Sequence, residues 1–195
     1  IRETTTNIGA KIVSCMRAIE SKNPEALTGV FGDADWTNKD LLSDEVLSDL
    51  VEHFSSQTMT IARLPEDELG NGYEFLIKKF ADDSGHTAQE FYTNRTLVHL
   101  MTKMLDPQPG ESVYDPTCGT GGMLISCAVE LKNQVKEFRS LKLYGQEMNY
   151  TTGSIAKMNL FLHGIEDGKI GQGDTLTQPK FLDSKGRLQN FNIVL

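Results

Sequence analysis

The residues best suited to chemistry stand at three points, each following a short apolar run. Residues 112–115 lead into Asp115-Pro116-Thr117-Cys118-Gly119-Thr120-Gly121-Gly122, residues 141–145 into Gly145-Gln146-Glu147, and residues 169–173 into Gly173-Asp174-Thr175-Leu176. A glycine-rich turn that opens a helix lets backbone N–H groups come close to a ligand, because no Cβ stands in the way. Such a turn also suits a tight connection that holds nothing. Glu147 puts a carboxylate where the ribose hydroxyls of a nucleoside cofactor can donate to it. Taken singly, Glu147 or Asp174 also fits a solvated strand end or a helix cap. Three such groups on successive strands point together to one cofactor site.

Those groups need a scaffold that brings strand ends side by side. From Thr93 onward short apolar runs alternate with helical patterns, as in a parallel sheet wrapped by helices. Four strands are predicted, at residues 112–115, 141–145, 169–173 and 191–195. Between them lie two amphipathic helices. One carries Leu124, Cys127, Ala128, Leu131 and Val135, the other Ile155, Met158, Asn159 and Leu162, with Gly164 as the residue just past its end. Right-handed crossovers then place the ligand crevice beyond the carboxyl ends of the strands.

Residues 1 to about 80 read differently. Val46, Leu47, Leu50, Val51 and Phe54 recur at three- and four-residue spacing behind Asp44 and Glu45, which the helix dipole favours in a first turn. Leu69, Tyr73, Leu76, Ile77 and Phe80 repeat the pattern. Residues 33–38 and the stretch around Leu64, Pro65 and Glu66 read as connections, and residues 81–86 as a short linker. The expectation is an all-helical domain over residues 1–85, meeting the α/β region near residues 84–87.

Composition narrows the class. The formal charge is −8, so the bulk electrostatics attract no polyanion, and a DNA binder of this balance needs help from a partner. Three cysteines, Cys15, Cys118 and Cys127, are an odd number without metal-ligand spacing, which fits reduced thiols rather than a disulfide framework. No apolar run approaches the ~20 residues of a membrane span, and the N-terminus lacks the pattern of a signal peptide. The expectation is a soluble, cytoplasmic protein with no metal and no membrane partner. His53, His86, His99 and His163 show neither metal spacing nor a nucleophile, and Trp36 and the methionines read as packing groups. Cys118 lies near an expected helix N-terminus, where a thiol pKa can fall, yet it reads best as an unreactive small residue.

The motif Asp-Pro-Thr-Cys-Gly-Thr-Gly-Gly, followed by Tyr-Gly-Gln-Glu-Met-Asn-Tyr-Thr-Thr, Ala-Lys-Met-Asn-Leu-Phe-Leu-His-Gly and Gly-Asp-Thr-Leu, resembles the modification subunit of type I restriction systems, an N6-adenine DNA methyltransferase family. Gln89-Glu90-Phe91-Tyr92-Thr93-Asn94-Arg95 and the helix from Tyr73 to Phe80 extend the resemblance, which runs from about Asp35 onward. It implies a Rossmann-like S-adenosylmethionine-dependent methyltransferase sheet, incomplete here, over residues 86–195 and behind the helical domain. The implied cofactor is S-adenosyl-L-methionine. Thr120, Gly121 and Gly122, with Asp115 behind them, match the motif at the cofactor's amino-acid end. Glu147 matches the acid on the ribose, and Asp174 the acid on the adenine amino group. Glu90, Phe91, Tyr92, Thr93 and Arg95 match the segment that closes over the cofactor, where an aromatic face would also favour a sulfonium cation. The implied partners are double-stranded DNA, a specificity subunit and a second modification subunit, with a restriction subunit as a further candidate.

Two departures qualify the match. Asn94 stands where the family has proline, which predicts altered rigidity of the turn rather than lost binding. After residues 191–195 the family continues into an Asn-Pro-Pro-aromatic motif, whose groups accept the adenine amine's hydrogens and stack on a flipped base. The catalytic residues are therefore expected just after Leu195, none lies in this segment, and the 195-residue chain reads as an inactive piece of a longer protein. The start at Ile1 rather than Met agrees with that. Two other readings stand beside the methyltransferase. A nicotinamide-dependent dehydrogenase shares the glycine turn and acidic strand end, but Asp-Pro at the first strand end and the motif before the sheet fit it less well. The other is a non-catalytic assembly or binding module.

Overall fold

The computed structural model describes residues 1, 3–56, 63–64, 68–83 and 93–195. The chain divides into two compact units, Ile1–Pro65 and Glu66–Leu195.

The first unit contains α1 (Ile8–Lys22), the short α2 (Pro24–Leu27) and α3 (Asp44–Ser55). Ser43 caps α3 by accepting the Val46 N–H at 3.3 Å. The Asp44 carboxylate accepts the N–H groups of Asn7 and Ile8 at 3.0 and 2.9 Å, so one side chain fixes the start of α1 against the start of α3. Ile8, Ile12 and Leu47 form the core, with Met16, Trp36 and Leu42 packed on it. Of the apolar stripe read on α3, Leu47 is buried, while Val46, Leu50 and Phe54 remain about half exposed.

The second unit holds α4 (Glu68–Asp83), α5 (Arg95–Leu105), β1 (Ser112–Asp115), α6 (Gly122–Asn133), β2 (Lys142–Glu147), α7 (Tyr150–Leu162), β3 (Lys169–Gln172) and β4 (Ile193–Val194). All four strands are parallel, in the order β3-β2-β1-β4. The predicted order of strands and helices is the observed one. The helical domain, however, stops short of residue 85. Helix α4 packs on α7 and belongs with the sheet, so the change of unit falls in the connection around Leu64 to Glu66. Of the linker read at residues 81–86, residues 81–83 end α4 and the others lie outside the described residues.

Alternation along the strands sorts side chains to two faces. Val113 and Leu143, paired in register, point with Leu124, Ile125, Leu131, Ala156 and Leu160 into one core beneath α6 and α7. Tyr114 and Tyr144 point the other way. There Tyr114 stacks on Phe191 with ring centroids 4.6 Å apart, and both tyrosines meet Phe181 edge-on. The segment between β3 and β4 thus supplies the aromatic cover of that face.

Both helix ends use backbone capping. Gly164 follows α7 at φ 73°, and Ile165 N–H reaches back to Leu160 O at 3.0 Å, as its position past the helix predicts. Helix α6 ends earlier than its apolar pattern suggests. Val135, read as part of the buried stripe, is 95% exposed and takes φ 56° in the corresponding position, with Lys136 N–H donating to Leu131 O at 2.9 Å. A β-branched residue is disfavoured in the left-handed region. Val135→Gly is therefore expected to stabilise the protein by about 1 kcal/mol, read as a rise of roughly 4 °C in the melting temperature. A fall would show that this turn is not strained.

Candidate functional site

The glycine-rich turn is built by hydrogen bonds at the carboxyl end of β1. Asp115, 7% exposed, accepts the Thr117 N–H at 3.0 Å, and the Cys118 N–H crosses to Gln146 O on β2 at 3.0 Å. Gly119 and Gly121 have φ of 54° and 80°, conformations that cost other residues energy, and α6 starts at Gly122. A Cβ on Gly119 or Gly122 would meet nothing within 4 Å, so open space lies over the turn. From below, Asn159 of α7, 1% exposed, donates to Thr120 O at 3.0 Å, while its Oδ1 is buried without a partner.

Glu147 ends β2 next to this turn. One carboxylate oxygen accepts the Gly119 N–H at 3.1 Å and the other the Asn149 N–H at 2.7 Å. Each oxygen keeps a lone pair for a further donor. Asp174 stands one strand further on, where the Gly173 N–H bonds Glu147 O at 3.0 Å. Its Oδ1 accepts the Leu176 N–H at 2.9 Å. That backbone bond, with a hydrogen bond from Thr177, holds the Asp174 carboxyl below its ordinary pKa, so it stays ionised and accepting. Beside the acids, Met148 and Leu176 are 70% and 92% exposed, unusual for large apolar side chains.

On the other side of the turn stands α5. Asn94 caps it, its Oδ1 accepting the N–H groups of Thr96 and Leu97 at 2.9 and 3.3 Å. Proline offers no such acceptor, so asparagine replaces a fixed φ with a side-chain cap. Arg95 forms an ion pair with Glu74 of α4. Sequence reasoning gave no role to the side chains of Glu74, Asn159 and Gln146, although Asn159 and Gln146 fell within the helix face and the strand-end motif it named; an amide or acid at a helical or strand position was the only signal. Glu90, Phe91 and Tyr92 lie outside the described residues.

These elements enclose a cleft of about 230 Å³. Thr93, Arg95, Asp115, Thr120 and Gly122 all line it, together with Val98, Met101, Met123 and Leu195. Glu147 and Asp174 are not in its wall; they form a ledge along the neighbouring strand ends, joined to the cleft through Gly119. Among the described residues no group of three or more His, Cys, Asp or Glu is arranged to hold a metal, and no helix is long and apolar enough to cross a membrane.

Burial governs the ionisation here. Desolvation raises the Asp115 pKa and the Glu147 charge adds to it, while the Thr117 N–H opposes them. Desolvation also pushes the Cys118 thiol up, with Asp115 and Glu147 adding to the effect, so the helix N-terminus does not activate it. The Cys127 thiol is pushed up to about 12, mainly by burial. Because the folded pKa of Asp115 is raised, its contribution to stability is full below the unfolded value of about 4 and is lost as pH rises through the folded value. Asn keeps the acceptor for Thr117 and removes the charge. Asp115→Asn should thus melt with wild type near about pH 4 and increasingly above it as the pH rises. A melting-temperature difference that does not change with pH would contradict this.

Residues 65–195 match the profile of the N-6 DNA methylase family. The type I restriction enzyme MjaIX methylase subunit of Methanocaldococcus jannaschii is 31% identical over 177 residues, covering 91% of this chain and 31% of that protein. The HindI methylase subunit of Haemophilus influenzae is 32% identical, covering 86% of this chain and 39% of its own length. The crystal structure of a type I restriction-modification system methyltransferase subunit from Streptococcus thermophilus matches 95% of this chain at a TM-score of 0.79 and 27% identity, and 39% of that chain is covered. The chain therefore spans between 31% and 39% of the length of these relatives.

Proposed function

The chain belongs to the N-6 DNA methylase family, and from that premise we propose that it is the cofactor-holding part of a type I modification subunit, a DNA adenine-N6 methyltransferase. The observation that carries the reading is the direct bond from Gly119 of the turn to the Glu147 carboxylate, 3.1 Å, which joins the cleft to the acidic ledge. S-adenosylmethionine fits both parts. The cleft is lined by Arg95 and Asp115, opposite charges that complement the carboxylate and ammonium of an amino acid. Its open space lies over Gly119 and Gly122, where any side chain would occupy it. Glu147, fixed by two backbone N–H groups, has lone pairs free for ribose hydroxyls, and Asp174 accepts from an adenine amino group. Met148 and Leu176 offer apolar surface for the purine faces. Glu90, Phe91 and Tyr92 are proposed to close over the site, with Thr93 and Arg95 at its edge.

When bound, S-adenosylmethionine supplies an electrophilic methyl on a sulfonium. The residues of this chain bind and orient it, and the buried negative charge of Asp115 favours a cationic ligand. The groups that hold the target adenine are proposed to stand on residues following Leu195, which β4 delivers to the cleft wall. Double-stranded DNA is the proposed substrate. With a net charge of −8, the chain is proposed to work with a specificity subunit, a second modification subunit and, in the restricting assembly, a restriction subunit.

Isothermal titration tests the cofactor class. Saturable binding of S-adenosylmethionine that excess NADH does not displace is the expected result. Displacement by NADH would favour the dehydrogenase reading, and no binding of either would favour an assembly module.

A further inference from the structure

Gln146 lies between two residues of the site, Gly145 and Glu147, yet its side chain points to the opposite face of the sheet and is 0% exposed. All its amide hydrogen bonds go to one peptide segment. Nε2 donates to Gly173 O and to Gln178 O, each at 3.0 Å, and Oε1 accepts the Lys180 N–H at 3.0 Å. Two carbonyls and one N–H admit one orientation of the amide. A glutamate of the same size would set an acceptor-only group against two carbonyl oxygens.

The clasped segment carries Asp174, one residue beyond the first anchored carbonyl. It is compact: Gln178 N–H donates to Asp174 O at 2.7 Å, and Thr175 Oγ1 bonds Pro116 O beside the glycine-rich turn. Gly173 has φ 141°, and a Cβ there would stand 2.8 Å from Lys180 Cε, so the segment doubles back on itself. The Gly173 N–H to Glu147 O bond and the Gln146 amide are the two links that tie this turn to the end of β2. The first fixes where the turn begins. The second fixes its direction, because it grips carbonyls on either side of Asp174.

We propose that Gln146 is the positioning residue for Asp174, and thereby a determinant of selectivity for a purine bearing a 6-amino group. This rests on reading Asp174 as the acid that meets the adenine of the cofactor. Gln146 touches no ligand. It holds the 173–180 turn so that an ionised carboxylate faces the amine, and an ionised carboxylate rejects the 6-oxo group of hypoxanthine, which has no hydrogen to donate there.

The test titrates S-adenosylmethionine and its inosine counterpart, which carries oxygen in place of the 6-amino group, into the wild-type chain, Asp174→Ala, Gln146→Met and the double variant, with a melting temperature for each. Wild type is expected to prefer the adenine form by about tenfold or more. Asp174→Ala and Gln146→Met should each remove most of that preference, and the double variant should bind no more weakly than Asp174→Ala. A merely structural role for Gln146 would weaken both ligands alike, or add to the loss from Asp174→Ala, and either result overturns the proposal while leaving the role of Asp174 intact. A preference unchanged in Asp174→Ala would overturn the adenine reading itself. If Gln146→Met does not melt cooperatively, Gln146→Asn serves in its place. It stays neutral but is one methylene too short to reach the Gly173 and Gln178 carbonyls and the Lys180 N–H together, and the same outcomes decide.

Discussion

Glu147→Ala is expected to lower the affinity for S-adenosylmethionine by about two orders of magnitude, equivalent to about 2.7 kcal/mol. Hydrogen bonds to a charged group are worth about 1.5–3 kcal/mol each, and Glu147 is proposed to make them to the ribose. The same carboxylate also holds Gly119 N–H at 3.1 Å and Asn149 N–H at 2.7 Å, so alanine removes a ligand contact and loosens the turn that forms the cleft. Glutamine is little better, because one of its two amide ends must turn N–H groups toward a backbone N–H. Glu147→Gln should therefore fall near alanine rather than near wild type. Titration calorimetry measures both. Wild-type affinity in Glu147→Ala would remove Glu147 from the binding site and with it the joined cleft and ledge.

What the sequence made legible follows from how locally each feature is determined. Ser112 to Asp115 was read with its final bounds, because a short alternating run that ends in a glycine-rich turn admits few alternatives. Residues 191–195 were read as a strand, and two of them pair with β1, with Leu195 N–H reaching Tyr114 O at 2.9 Å. The end of α7 was marked by Gly164 and the first turn of α3 by Asp44 and Glu45. The unit boundary was not. The amphipathic stripe of α4 has one appearance whether it packs on helices before it or on α7 after it; its neighbour is chosen by Gly70, where a Cβ would come within 2.7 Å of the His163 ring. That requirement joins positions far apart in the chain.

The site shows the same division. Asp115, Glu147 and Asp174 stood out because each ends or follows a strand and carries charge. Gln146 was hidden because its partners lie at Gly173, Gln178 and Lys180, and nothing near it in sequence announces them. The fate of Asn94 was half visible: its aptitude for turns was evident, but its double acceptance from Thr96 and Leu97 depends on where α5 begins. For Cys118 two local cues pointed in opposite directions, and the reading as an unreactive small residue agrees with its raised pKa. Position at a helix start suggests a lowered value, whereas burial between the carboxylates of Asp115 and Glu147 raises it.

Gly145→Ala should cause the largest loss of stability among these substitutions, about 2–3 kcal/mol and a fall of roughly 10 °C in melting temperature. Its added Cβ would stand 2.8 Å from Cys118 Sγ, 2.9 Å from Cys118 Cβ and 2.8 Å from Ile170 Cδ1. The isoleucine end can rotate away. Cys118 cannot move freely, because its N–H is bonded to Gln146 O at 3.0 Å and the next residue holds Glu147. Pushing Cys118 outward therefore shifts Gly119, and the loss of stability should come with weakened cofactor binding. Cys118→Ala removes the sulfur and one of the two cysteine contacts, so the double variant should melt higher than the sum of the single effects predicts. Strict additivity would mean that the methyl is accommodated elsewhere, through Ile170, and that Cys118 sits beside Gly145 without constraining it. Coupling between the two would locate the need for glycine in the approach of the turn to β2, the same approach that sets Glu147 within reach of Gly119.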